Sequence, residues 1–145
     1  MVNPDFTVSH REYVGRLRAA MLTAARGWLG TPYLFGGNTP KGIDCSHFIY
    51  QVINSAREAI AAGFPSPQVV NYRNTETMET SGHWFPAQLV EAGDVIMWDG
   101  HCGLIVRSGW FIGAQTSTGV AEASCSDGYW TERAKRRYLR FVHCM

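Results

Sequence analysis

Along residues 45–56 the apolar positions Cys45, Phe48, Ile49, Val52, Ile53 and Ala56 recur at intervals of three and four, which predicts a helix with one buried stripe. An earlier stretch has the same rhythm. Tyr13, Val14, Leu17, Met21, Ala24, Ala25 and Trp28 share one side, and Ser9-His10-Arg11-Glu12 ahead of them reads as a capping box. That helix is expected to open at Ser9, pack against a sheet and end near Gly30. Gly63-Phe64-Pro65-Ser66-Pro67 then stops the helical pattern, and a polar segment with little periodicity runs from Asn71 to Gly82. Long loops in compact domains are usually functional, so this segment, within a wider 63–85 loop, is expected to form a wall of a cleft. His83 and Trp84 at its end read either as ligand contacts or as a buried aromatic anchor. The second half switches to short apolar runs at 95–98, 102–106, 110–114, 120–123 and 138–142, the signature of a small antiparallel sheet. Helices followed by strands place the chain in the α+β class.

Length and composition then narrow the picture. The 145 residues form a single expected domain spanning 1–145, without repeats, and 46% hydrophobic with 17% charged residues is an ordinary globular balance. A net charge of +1 argues against nucleic acid as the main partner. The basic run Arg133, Lys135, Arg136, Arg137 and Arg140 reads as a solvated helix face leading into the last strand, with attraction to anionic polymers or membrane surfaces as the alternative. No apolar run has the length of a membrane span, and Met1-Val2-Asn3-Pro4-Asp5-Phe6 lacks the regions of a signal peptide, so synthesis in the cytoplasm and no membrane insertion are expected. The four cysteines, 45, 102, 125 and 144, show no Cys-x-x-Cys pair and no paired histidine spacing. Reduced thiols are expected, with no metal and no cofactor.

The candidate chemistry sits at the start of the 45–56 helix. Asp44 occupies the N-cap position, so Cys45 falls in the first turn, where free N–H groups and the helix dipole favour a thiolate. A small buried hydrophobe is the competing reading of Cys45. A base tips the balance: Asp99-Gly100 between apolar runs predicts a tight hairpin with positive φ at both residues, and His101 begins the strand that follows. Cys102, next to His101, is expected on the opposite side of that strand, in the core. His47, two residues beyond Cys45, is expected on the helix's outer face.

Gly30-Thr31-Pro32-Tyr33 through Gly36-Gly37, Gly42-Ile43-Asp44-Cys45-Ser46, Gly93-Asp94-Val95 and His101-Cys102-Gly103-Leu104-Ile105 together resemble the NlpC-type cell-wall cysteine peptidases. A looser match runs through Phe111-Ile112-Gly113-Ala114 and Thr116-Ser117-Thr118-Gly119-Val120 to Tyr129-Trp130. The resemblance implies a compact papain-like fold with N-terminal helices packed on a small antiparallel sheet. It implies Cys45 as nucleophile and His101 as general base, with Tyr33, Asp44 and Ser46 beside the thiol. The oxyanion would be held by the Tyr33 hydroxyl or the Cys45 backbone N–H. Asp44, with Tyr33 and Ser46, would suit a small polar peptide bearing an amine. The family's third polar residue, usually histidine, aligns with Gly113; Gln115, on the same strand face, reads either as the supplier of an amide oxygen to His101 or as a strand-end polar residue. The family also usually has glycine where His47 stands.

The implied substrate is the peptidoglycan stem peptide, cut between γ-D-glutamate and meso-diaminopimelate without a cofactor. The same cysteine and histidine would serve an amidase, deamidase or acyltransferase, and a catalytically decayed binding or phage-structural module is the non-enzymatic alternative. A wall enzyme without a leader would act after lysis, injection or non-classical export, or in cytoplasmic recycling, with a delivery or immunity protein as possible partner.

Overall fold

The computed structural model describes residues 4–61 and 69–145; the break read at Gly63–Pro67 lies outside them. Helix α1 covers Pro4–Gly27, so it starts five residues ahead of Ser9, and the expected capping box is not its beginning. Proline at the first helical position needs no N–H partner, which suits Pro4 as the start. A two-residue ribbon follows, β1 (Asn38–Thr39) against β2 (Gly42–Ile43), and leads into helix α2, Cys45–Ala59. All six residues of the predicted stripe of α2 are buried. Leu17, Met21 and Ala25 of α1 are buried as well, but α1 packs chiefly on α2 and not on the sheet as expected. The buried face of α2 is wider than its stripe, since Ser46 and Tyr50 are buried too. Such a helix meets the sheet on one side and α1 on the other.

Six antiparallel strands form one sheet: β3 (Trp84–Pro86), β4 (Val95–Trp98), β5 (His101–Arg107), β6 (Trp110–Gln115), β7 (Gly119–Ser124) and, after the one-turn helix α3 (Gly128–Glu132), β8 (Arg137–Phe141). Their spatial order is β3-β8-β4-β5-β6-β7. Edge strand β3 was not expected. Trp84 is buried and its indole N–H donates to Tyr50 Oη at 3.2 Å, which makes it the anchor of its loop. Period-two alternation sorts the strands into two faces. Val95, Met97, Cys102, Leu104 and Ile112 pack toward α2, whereas Ile96, Trp98, Ile105 and Phe111 form a second cluster closed by Trp130 and Tyr138.

Two details correct sequence expectations. In the β4–β5 turn only Gly100 has positive φ (+75°), so its sign pattern is that of a type II turn and not the two-positive type I′. The basic run is not a solvated helix face, because α3 ends before it and most of its members are tied down. Arg136 donates to Cys125 O at 2.7 Å, Arg137 pairs with Glu79 and Asp99, and Arg140 clasps Asp94. Asp94 is fully buried and also receives Arg18 of α1 at 3.3 Å, so the Gly93-Asp94 motif joins α1, β4 and β8.

Candidate active site

Asp44 fixes where the thiol stands. Its backbone is extended (φ −96°, ψ 175°), and its Oδ1 accepts the His47 backbone N–H at 2.9 Å. Oδ2 accepts Gly36 N–H at 2.9 Å, which ties the glycine-rich loop to the helix start. Ser46 Oγ donates to the same carboxylate at 3.3 Å. Asp44 therefore lines the cleft but is 6% exposed, with its oxygens engaged within the chain.

Cys45 opens α2 and is 7% exposed. Its thiol meets two partners on β5. These are Cys102 and His101, both of which favour its thiolate. The Cys102 bond is the largest influence, burial opposes it, and the His101 bond and charge add to it, lowering the Cys45 pKa to about 5. Cys102, wholly buried, keeps its proton, since the bond to Cys45 and desolvation both push its pKa up. Cys102 is thus in the core, on the α2 side of β5 as alternation requires, yet it acts on the Cys45 thiol. His101 leaves the opposite face, beside Trp98 and Trp130, and still acts on the thiol.

The imidazole of His101 is held by aromatic rings. It stacks on Trp130 (centroids 5.1 Å apart, 20° between planes) and on its cross-strand partner Trp98 (5.8 Å, 26°). Trp98 Nε1 donates to Trp130 O at 3.0 Å, locking that pair. Among the described residues His101 Nε2 is buried without a hydrogen-bond partner, which leaves Nδ1 for the thiol. Gln115 is also buried, on the neighbouring strand β6. Extending the Leu104↔Ile112 register by three residues sets it across from His101. Gln115 Nε2 donates to Ala121 O at 3.1 Å, but Oε1 has no partner, so the expected bond to His101 is not made. The amide oxygen folds back over Gly113, filling the space that a Cβ there would need.

Tyr33 faces the site from the loop, bridged to Ile43. Burial, then the charges of Cys45 and Asp44, raise its pKa, so its hydroxyl stays a donor. Ser46 Oγ also shares a 2.7 Å hydrogen bond with Tyr72 Oη. His47 is not on a solvated outer face. Its Nδ1 lies 2.8 Å from Asp44 Oδ1, and its ring stacks on Tyr72 at 3.8 Å and 7°. Side chains on a helix lean toward its N-terminus, and this one is drawn back to the cap residue. Tyr72 brings the polar segment against the cleft, as that segment's length suggested. The contacts of Tyr72, Trp130 and Arg133 had no signal in local periodicity; only Tyr129-Trp130 stood inside the looser motif match.

Two cavities flank the thiol–imidazole pair. One, about 280 Å³, is lined by Cys45, Asp44, His47, Tyr72 and Glu76. The other, about 450 Å³, is lined by His101, Gln115, Thr116, Tyr129, Trp130 and Arg133. Tyr33 and Gly100 line both, and neither His83 nor Trp84 lines either.

Residues 30–138 match the sequence model of the NlpC/P60 family. The chain is 30% identical over 111 residues to "Murein DD-endopeptidase MepS/Murein LD-carboxypeptidase" of Escherichia coli strain K12, covering 73% of this chain and 54% of the relative. It is 28% identical over 138 residues to "Gamma-DL-glutamyl hydrolase" of Bacillus subtilis strain 168, covering 83% and 31%. The chain thus spans about half, or less, of these relatives' length. An NlpC/P60 family protein of Bacillus cereus superposes with a TM-score of 0.65 at 18% identity, over 86% of this chain and 40% of that one. The likeness is one of fold, and the expected α+β, papain-like class stands.

Proposed function

The chain belongs to the NlpC/P60 family, and on that premise we propose that it is a cysteine endopeptidase that cuts peptidoglycan stem peptides. The observation that carries this reading is the Cys45 thiol in the first turn of α2, facing His101, whose ring is held by Trp98 and Trp130; the lowered pKa of about 5 at Cys45 agrees with it. His101 takes the Cys45 thiol proton and becomes an imidazolium, Cys45 Sγ attacks the amide carbonyl carbon, and the carbonyl electrons move onto oxygen. The Tyr33 hydroxyl and the Cys45 backbone N–H are the donors available to that oxyanion. The C–N bond breaks as His101 gives its proton to the leaving amine. Water then attacks the thioester, passes a proton to His101 and releases the thiolate. Trp98 and Trp130 hold the imidazole plane, and Gln115 Oε1 accepts from Nε2–H when the imidazolium forms, acting as a positioning residue.

The proposed bond joins γ-D-glutamate to meso-diaminopimelate. The name of the Bacillus relative supports a γ-glutamyl bond, while that of the Escherichia relative points to other bonds in the same polymer. The test is mass spectrometry of diaminopimelate-type peptidoglycan and its tetrapeptides after incubation with the protein, with Cys45→Ala and His101→Ala as controls. Fragments ending in γ-D-glutamate from the intact protein alone are expected. Fragments cut at a D,D or L,D bond would keep the peptidase and replace the bond. Transfer to an added amine instead of water would replace the hydrolase with a transferase, and intact substrate would sink the reading.

A further inference from the structure

His101 protonates the leaving amine, so the residue bearing that amine lies on the His101 side of the thiol. The cavity lined by His101 and not by Cys45 is therefore the leaving-group cavity, and the one lined by Cys45 takes the acyl side. This division rests on the reading of the site given above.

A guanidinium stands at the edge of the leaving-group cavity. Arg133 lines it, and its Nη2 lies 3.6 Å from where a Cβ on Gly100 would be, over the turn that presents His101. Two neutral acceptors fix this head: Nη2 donates to Asp99 O at 3.1 Å, and Nη1 to Tyr129 Oη at 3.3 Å. Neither neutralises it. Its neighbours Lys135 and Arg137 reach the Asp99 carboxylate, and Arg140 reaches Asp94, but among the described residues Arg133 forms no ion pair. The carboxylates of the same cavity are committed elsewhere, Glu122 to Arg107 and Asp127 to the N-cap of α3. A pre-aimed, uncompensated guanidinium beside aromatic walls is a receptor for a planar carboxylate, which it can grip with two N–H groups.

We propose that Arg133 determines specificity on the leaving-group side by binding a carboxylate of the leaving residue. A diamino acid with a second, free carboxylate, as in diaminopimelate, is then preferred over lysine and over diaminopimelate amidated at that carboxylate.

The test is calorimetric titration of the Cys45→Ala protein with three leaving-side products: diaminopimelyl-D-alanine, the same dipeptide amidated at the free carboxylate, and lysyl-D-alanine. The first is expected to bind roughly ten- to hundred-fold tighter, the range for charge-assisted hydrogen bonds. Arg133→Gln should abolish the preference while leaving the two other affinities unchanged, and Arg133→Lys should keep part of it. Equal binding of all three, a preference that survives Arg133→Gln, or no binding of any at millimolar concentration would overturn the proposal. Hydrolysis of the three corresponding tetrapeptides by the intact protein reports separately on the peptidase reading. A carboxylate preference without cleavage would sink that reading and leave the Arg133 site standing.

Discussion

The amide oxygen of Gln115 occupies the space that a side chain on Gly113 would need, so the two positions are alternatives on one strand face. Position 113 is empty of side chain, and an amide two residues away reaches back over it. Both Gln115 Oε1 and His101 Nε2 are buried and without partners among the described residues, although a buried polar atom left unpaired is costly. Pairing of these two atoms during the reaction would satisfy both.

The relationship predicts a non-additive pair of mutations. Gln115→Ala removes one neutral hydrogen bond, worth about 0.5–1.5 kcal/mol, and should lower kcat/KM by roughly two- to ten-fold. Gly113→Ala should have a similar effect, because its Cβ displaces the flexible amide. Combining them should cost no more than either alone, measured as kcat/KM of the four proteins. Additive losses would place Gln115 and Gly113 in separate roles.

The thiol predicts an acid-shifted reactivity profile. Cys45 has its pKa lowered to about 5, so the thiolate persists at neutral pH and is lost only as pH falls through that value. Alkylation by iodoacetamide should therefore have its midpoint near 5, far below the roughly 8.5 of a free thiol, and kcat/KM should decline along the same limb. Cys125 and Cys144 should not compete, since burial raises both, Cys144 to about 11. Cys102→Ala removes the largest stabilising contact and should move the Cys45 midpoint upward. An unmoved midpoint would assign the shift to His101 and the helix start alone.

Asp44 serves the fold as well as the cleft. Asp44→Ala should destabilise by about 1–2 kcal/mol, the upper part of the range for a lost N-cap, because Gly36 N–H loses its acceptor too. Asp44→Asn keeps one carbonyl oxygen and should cost less. Urea unfolding midpoints compare them, and equal stability of the three proteins would confine Asp44 to a role in substrate binding.

Asp94 should be the more severe loss. Removing its carboxylate leaves Arg18 and Arg140 without their buried partner, at a cost of about 3 kcal/mol, the low end for a broken buried pair. The low end applies because Glu91 stands 3.3 and 3.5 Å from the same two guanidiniums. A drop below 1 kcal/mol in chemical denaturation of Asp94→Ala would show that Glu91 replaces it outright.

Much of the site's backbone was legible from local pattern. The spacing from Cys45 to Ala56 set a helix and its buried face, Asp44 set where it begins, and Asp99-Gly100 set the hairpin that starts β5 at His101. These features depend on residues within a turn or two of each other, where backbone preference and periodicity act directly. The packing of α1 on α2, the extra strand β3 and the ion pairs of the basic run depend on partners up to dozens of residues away.

The sequence by itself determined the Cys45 helix, the His101 strand and the family, because ordered motifs and apolar periods survive in one dimension. Only the tertiary structure decided what each side chain meets. His47 is drawn onto Asp44 and Tyr72, the protonated Cys102 lowers the pKa of Cys45, Trp130 holds His101, and among the described residues Arg133 has no carboxylate partner. Those outcomes are set by which distant segments share a buried volume. Desolvation there makes every unpaired charge or polar atom consequential, and no local spacing records it.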